Sequence, residues 1–213
     1  MEKISLAFEH LNLRWNPFGE PGPEDIARLA VVEVEPYVER LRRPGFALQY
    51  LGEAGRGKST HLIVLHHFFP NMPYLRFPEN AKIPKIPHAP VLFLDETQRL
   101  SPSLRRRIFS RQASFVIGTH EDHSNELARA GVEFVSIHLK GLTGKRLAQI
   151  IERRIEWARR GPGPLPTVSA SKIARLIEEY GDDLSAILAS LYEEFQILEK
   201  DGTDEYHGHP GAI

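Results

Sequence analysis

Gly52-Glu53-Ala54-Gly55-Arg56-Gly57-Lys58-Ser59, followed by Thr60, has the spacing Gly-x4-Gly-Lys-Ser. The run combines glycines that let the backbone curl, one flexible cation and one hydroxyl. Its natural chemistry is to hold polyphosphate. Successive amide N–H groups of a glycine-rich loop form a concave anion site, and a helix opening at its end adds the positive pole of its dipole. Side chains at Gly52, Gly55 or Gly57 would strain the loop or block the approach of phosphate oxygens. Lys58 is expected to reach the β and γ phosphates of a nucleoside triphosphate, and Ser59 to ligate Mg2+. Thr60 is expected to assist packing or touch the α phosphate. The competing reading is a glycine-rich turn with an exposed lysine. A chance match to the pattern in a chain of this length is roughly one in a hundred at ordinary residue frequencies.

Val91-Leu92-Phe93-Leu94-Asp95-Glu96 supplies the complementary acids. Apolar residues ending in two carboxylates describe a buried strand whose tip emerges beside the phosphates. Asp95 is expected to hold the Mg2+ shell and Glu96 to polarise an attacking water. The alternative is a pair of acids favouring a helix N-terminus. A third run, Phe115-Val116-Ile117-Gly118, ends at Thr119, which is expected to contact the γ phosphate or position water. A simple turn residue is the alternative there, and His120 and Asp122 are read as loop residues.

These groups need elements to place them. Phe46–Leu51 reads as a strand running into the loop, and Lys58–Phe69 as the helix leaving it, the setting this motif requires. Strands are also expected at Pro73–Phe77, Val91–Leu94, Phe115–Ile117 and Phe134–Leu139. Helices are expected at Glu35–Arg42, Ser103–Phe109 and Asn125–Ala130. Such alternation predicts an α/β fold, a parallel sheet with helices on both faces, and the Gly-x4-Gly-Lys-Ser loop within it makes the expected fold a P-loop NTPase sheet. Pro78–Pro90 holds too many prolines for a helix. After Leu142 the apolar spacing becomes helical, with stripes through Leu147, Ile150, Ile151 and Ile155, through Ile173, Leu176, Ile177 and Tyr180, and through Leu184, Ile187, Leu188, Leu191, Phe195 and Leu198. Gly161–Pro166 breaks the first stripe from the second, and Asp182 is the expected N-cap of the last helix. The expected division is an α/β core over 1–140, a small helical lid over 141–201 and a flexible tail over 202–213.

Composition narrows the classes. The chain of 213 residues contains no cysteine, which excludes disulfide scaffolds, thiolate zinc sites and cysteine nucleophiles. Lys and Arg number 27 against 28 Asp and Glu, so a constitutive nucleic-acid binder is disfavoured while a local basic face is not. No apolar run is long enough to span a bilayer. Met1–Leu13 lacks the apolar core of a secretion signal. A cytoplasmic protein without membrane insertion is the expectation.

The three elements, in this order, resemble the AAA+ ATPases, in which they are the Walker A, Walker B and sensor 1 motifs and a helical lid follows the core. The resemblance covers nearly the whole chain. Trp15-Asn16-Pro17-Phe18 looks like the Asn-Pro-Phe entry of ExeA-like and TniB-like bacterial AAA proteins, and Asp95-Glu96-Thr97-Gln98-x-Leu100 like the extended Walker B of that group. A GTPase would carry Asn-Lys-x-Asp, which is absent from the sequence. The resemblance implies ATP and Mg2+ as cofactors. It implies Lys58, Glu96 and Thr119 in catalysis, Asp95 and Ser59 at the metal, and an arginine finger at Arg129 in a homo-oligomer. It implies Trp15 and Phe18 beside the adenine, with core packing as the alternative.

This chain departs from the family in two places. Pro78–Pro90 stands where many AAA+ cores place a second helix and substrate-gripping insertions. Ser185 stands where a sensor 2 arginine is expected. The expected function is a regulatory or assembly ATPase acting with a protein partner or DNA. The alternatives are an ATP-gated binding module with little turnover and a small-molecule phosphotransferase. Arg105-Arg106-Arg107, flanked by Arg99 and Arg111, and the first lid helix with Lys140, Lys145, Arg146, Arg153, Arg154, Arg159 and Arg160 are candidate basic faces for DNA or for the acidic last helix and tail of a neighbour, which carry Glu193, Glu194, Glu199, Asp201, Asp204 and Glu205; ordinary solvated faces are the alternative. His66-His67 and His207-x-His209 are not expected to bind metal: the first pair are adjacent on a helix and point apart, and the second lies in the loose tail.

Overall fold

Every residue of the first strand, β1 (Phe46–Leu51), is buried, as a strand paired on both edges and covered on both faces must be. The computed structural model describes residues 8–79 and 82–201. β2 (Tyr74–Arg76), β3 (Val91–Asp95), β4 (Ser114–Thr119) and β5 (Glu133–His138) join β1 in one five-stranded sheet of order β2-β3-β4-β1-β5. All its pairings are parallel. The α/β class expected from the alternation is therefore observed. β4 separates β1 from β3, pairing Leu51 with Thr119 on one side and Asp95 with Gly118 on the other. That order inserts the tip of β4 between the glycine-rich loop and the acids.

Alternation along the strands sorts the core into two layers. Ala47, Leu92, Leu94, Phe115 and Ile117 face a cluster containing Ile108, Phe109 and Leu127, contributed by α4 (Pro102–Phe109) and α5 (Ser124–Arg129). Leu48, Tyr50, Phe93 and Val116 face Val38, Leu41, Leu62 and Leu65, from α2 (Val38–Leu41) and α3 (Lys58–His67). The stretch expected as a helix over Glu35–Arg42 is a 3-10 turn, Glu35–Tyr37, running into α2.

The described residues of Val32–Lys140 form one compact unit, and the described residues before and after it form the second. The second unit holds α1 (Pro23–Leu29), α6 (Gly144–Trp157), α7 (Ala170–Tyr180) and α8 (Leu184–Asp201). Sequence periodicity did not reveal α1, although Pro23 at its start with Glu24 and Asp25 in the first turn is a helix-opening signal. The opening segment, expected within the α/β core, packs into the helical unit. Leu13 bridges Arg159, and Phe8, Leu11, Leu13 and Phe18 share a cluster with Leu147, Ile151, Ile155 and Phe195. Asn16 pins this entry by accepting from Phe18 N at 3.0 Å and donating to Tyr192 O at 2.9 Å. Phe18 lies edge-on to Phe195, 4.9 Å between centroids, and Trp15 to Trp157 at 5.2 Å. These are packing contacts of the helical unit.

Ser101, Thr143 and Ser169 cap α4, α6 and α7, accepting from Leu104 N, Arg146 N and Lys172 N. The cap of α8 is Asp183, whose Oδ1 accepts from Ala186 N at 3.0 Å. Asp182, the expected cap, instead accepts from Gly141 N at 2.9 Å; α8 opens at Leu184, which leaves Asp183 at the N-cap position. The tail 202–213, with His207 and His209, lies outside the described residues. Among the described residues no helix is long and apolar enough to cross a membrane.

Candidate functional site

The loop between β1 and α3 gets its shape from its glycines. Gly55 and Gly57 have φ of 76° and 82°, the left-handed region where a side chain is strained. At Gly52 an added Cβ would come within 3.1 Å of Leu139 O and 3.2 Å of Arg56 Cβ. Lys58 opens α3 and is buried. Its ammonium donates to Gly52 O and Glu53 O, both at 2.9 Å, and to His120 Nε2 at 3.0 Å. Lysine therefore leans back over its own loop. Burial lowers its pKa, opposed by the charges of Glu96, Asp95 and Glu53. Ala54 is exposed, and Thr60 is half-buried in the first turn of α3.

Ser59 and Asp95 come together. Ser59 Oγ donates to Asp95 Oδ2 at 2.7 Å, and Tyr74 OH donates to the same oxygen at 3.1 Å. Burial, then the charge of Asp95 and this contact, hold the Tyr74 hydroxyl far above its ordinary pKa. Asp95 is fully buried, and its Oδ1 has no hydrogen-bond partner among the described residues. A buried carboxylate oxygen left without a partner is costly, and a carboxylate so placed beside a hydroxyl is a donor set that suits a hard cation. Among the described residues no group of three or more His, Cys, Asp or Glu side chains could hold a metal ion. A hard cation here would need further oxygens from water or from a bound phosphate, the usual arrangement for Mg2+.

Gly118 makes room for that carboxylate. An added Cβ would stand 2.6 Å from Asp95 Oδ1. Gly118→Ala is expected to displace Asp95 and to lower the melting temperature by about 2–12 °C, from 1–3 kcal/mol of overpacking. Differential scanning fluorimetry checks this, and an unchanged melting temperature would contradict the packing.

Glu96 has φ 65° and ψ 42°, unusual for a residue with a side chain and a form of strain that gathers at functional sites. The turn is held by Glu96 N donating to Gly118 O at 2.8 Å. Its carboxylate is almost buried. Oε2 accepts from Gln98 Nε2 at 2.8 Å and pairs with Arg99 at 3.3 Å, and Oε1 lies 3.8 Å from His120 Nε2. His120 thus stands between Lys58 and Glu96. Because lysine can only donate, Nε2 accepts and the imidazole proton sits on Nδ1, 3.6 Å from Glu53 Oε2.

Thr119 is fully buried, and its hydroxyl turns back into the chain. It donates to Glu121 O at 2.9 Å, accepts from Glu121 N at 3.0 Å and meets His123 Nε2 at 3.2 Å. The next residue, His120, is the one whose side chain reaches Lys58. Asp122 accepts from Gln49 Nε2 at 2.9 Å and from Ser124 N at 2.8 Å, stabilising the start of α5.

Arg129 is exposed in the last turn of α5. Of the candidate basic stretch, Arg105 is buried in a two-pronged ion pair with Glu126, at 2.9 and 2.8 Å. Arg99 donates to Phe77 O, and Arg111 to Pro87 O. In the helical unit Arg154 is bound to Gly19 O at 3.0 Å with its pKa lowered by burial. Arg153 bonds Ala30 O, Arg159 pairs with Glu156 and Arg160 with Glu9. Much of the basic composition is therefore spent on internal partners. His66 donates to Met72 O at 2.7 Å.

No family model matches the chain, and no curated protein matches it in sequence. Solved structures do. Domain III of the replication initiation protein DnaA from Thermotoga maritima is 14% identical with a TM-score of 0.58, over 87% of this chain and 95% of that one. Cdc6p from Pyrobaculum aerophilum is 14% identical with a TM-score of 0.55, over 92% of this chain and 66% of that one. The Orc1 protein of Aeropyrum pernix, solved in complex with DNA, is 18% identical with a TM-score of 0.56, over 91% of this chain and 64% of that one. At these identities the likeness is one of fold: the chain has the α/β fold of the AAA+ P-loop proteins, with a helical C-terminal region.

Proposed function

We propose that this protein is an AAA+ type ATPase that binds Mg2+-ATP and hydrolyses it to ADP and phosphate. The observation that carries the proposal is the convergence of Lys58, Ser59, Asp95 and Glu96 at one loop mouth, with Ser59 Oγ 2.7 Å from Asp95. The loop amides and Lys58 bind the phosphates. Ser59 and Asp95 hold the metal, which supplies neutralisation of charge on the β and γ phosphates. Glu96 accepts a proton from the water that attacks the γ phosphorus as the bond to the β-bridging oxygen breaks. His120, rather than Thr119, is the polar group placed to sense the γ phosphate: it stands beside Lys58, and once Lys58 turns to the phosphate the His120 Nε2 is released to carry the ring proton and donate to a phosphate oxygen. Arg129 serves a neighbouring copy as arginine finger. The Asn-Pro-Phe entry and the extended Walker B support the ExeA-like and TniB-like group. A regulatory or assembly role with a protein partner or DNA in the cytoplasm completes the proposal.

The test is steady-state ATP hydrolysis against protein concentration, with and without duplex DNA. Specific activity is expected to rise with concentration, because Arg129 has to come from a second copy. Stimulation by DNA would make it an effector. A second reading, an ATP-gated binding module, is favoured by Ser185, which offers no charge to the γ phosphate, and by the ties of Glu96 to Gln98 and Arg99. Bound ATP with negligible turnover at every concentration would select it.

A further inference from the structure

The segment carrying Glu96 is fastened to α5 at both of its ends. At the first end, Thr97 Oγ1 lies 3.0 Å from His123 Nε2, and Thr119 Oγ1 lies 3.2 Å from the same nitrogen. Thr97, Thr119 and His123 are all essentially sealed from solvent. Proton inventory fixes the direction of these bonds. The single Thr119 hydroxyl proton goes to Glu121 O, so Thr119 can only accept from His123. The His123 proton therefore sits on Nε2 and is shared between the two threonine oxygens. Burial, then the charge of Arg105, hold the His123 pKa below its ordinary value, so the ring is neutral and this tautomer stands. His123 is the N-cap residue of α5, and its own backbone N–H donates to Gln49 Oε1 at 2.8 Å.

At the other end, Arg105 donates to Leu100 O at 2.7 Å while its remaining donors grip Glu126 on α5. The two bridges are chemically independent: a neutral imidazole between hydroxyls, and a guanidinium between a carbonyl and a carboxylate. Between them the backbone of 96–100 makes a left-handed residue and a 3-10 turn. Such a turn does not hold its shape without outside support. A packed element with fixed polar ties moves as a body, since interiors are too dense to deform gradually.

We infer that His123 and Arg105 are positioning residues that clamp the Glu96–Leu100 segment to α5, so that the carboxylate of Glu96 and the helix carrying Arg129 shift together. Anything that engages α5 from outside then acts on the angle of Glu96. A second copy of this chain contacting Arg129 is the occupant consistent with the oligomer proposed above. The mechanical claim needs only this chain, and its catalytic consequence rests on the proposed ATPase activity.

Hydrogen exchange followed by mass spectrometry on the full chain tests the clamp without reference to catalysis. Glu96 N, Arg99 N and Leu100 N are protected by backbone bonds to Gly118, Glu96 and Thr97, and Leu127 N and Ala130 N by bonds in α5. His123→Phe keeps the ring and removes the donor, and Thr97→Val keeps the shape and removes the acceptor. Each is expected to speed exchange at 96–100 and at 124–130 together by at least about tenfold, with α3 unchanged. His123→Gln, which restores an N–H at similar reach, should return most of the protection. With Mg2+-ATP, the same Phe and Val variants should lose kcat by about tenfold or more while KM stays within about twofold. Should His123→Phe fail to fold, Thr97→Val carries the test alone. Unchanged exchange at 96–100, faster exchange at 96–100 without α5, or uniform acceleration over the whole sheet would each overturn the clamp. A wild type that binds ATP without hydrolysing it would sink the ATPase reading and leave the exchange result to decide the clamp.

Discussion

Glu96→Gln is expected to reduce ATP turnover by about 10²–10⁴-fold, the range contributed by a positioned general base, while ATP binding is kept. The substitution is conservative in shape. Its amide oxygen can still accept from Gln98 and Arg99, which hold the wild-type Oε2, and glutamine meets the same backbone strain at φ 65° as glutamate. What is lost is the capacity to take a proton from water. Single-turnover kinetics with radiolabelled ATP, beside equilibrium binding of a fluorescent ATP analogue, separate the two effects. A wild type faster than the variant by less than about tenfold would remove the general-base role from Glu96.

Lys58→Ala should produce the largest loss in nucleotide affinity. Each charge-assisted hydrogen bond from the ammonium to phosphate contributes roughly 1.5–3 kcal/mol, so losing even one weakens Kd by about tenfold or more. The fold should tolerate the change. The groups that Lys58 releases are the carbonyls of Gly52 and Glu53 and the Nε2 of His120, which lie at a half-exposed loop mouth that water can enter. Calorimetric titration with Mg2+-ATP at matched ionic strength gives the comparison. Unchanged affinity would take the phosphates away from this loop and with them the proposed function.

Both expectations rest on residues that were legible before any coordinates. Local rules place them: glycines at positive φ shape the loop, and the short apolar run Val91–Leu94 reads as a buried strand that delivers Asp95 and Glu96 to its tip. The three helices after Leu142 were readable because their apolar stripes repeat at helical spacing. Other features depend on pairing between distant segments. Thr119 and His120 are consecutive, and the register of β4 against β1 and β3, with the turn at 119–121, decides which one reaches Lys58. The burial of Arg105 rests on Glu126, far along the chain and on another helix. The cap of α8 moved by one residue because Gly141 claims Asp182.

Sequence alone therefore determined the chemistry on offer, a glycine-rich loop with a lysine, a hydroxyl and two acids, and the alternation of strand and helix that carries it. Those depend on short-range sterics and periodic burial, which each segment expresses by itself. Tertiary structure decided which polar groups meet: His120 with Lys58, Thr97 with His123, Arg105 with Leu100 and Glu126, and the opening segment with the helices. Such meetings are set by strand order and packing, where a buried donor or acceptor must find its partner across the fold, and no local pattern encodes which partner that is.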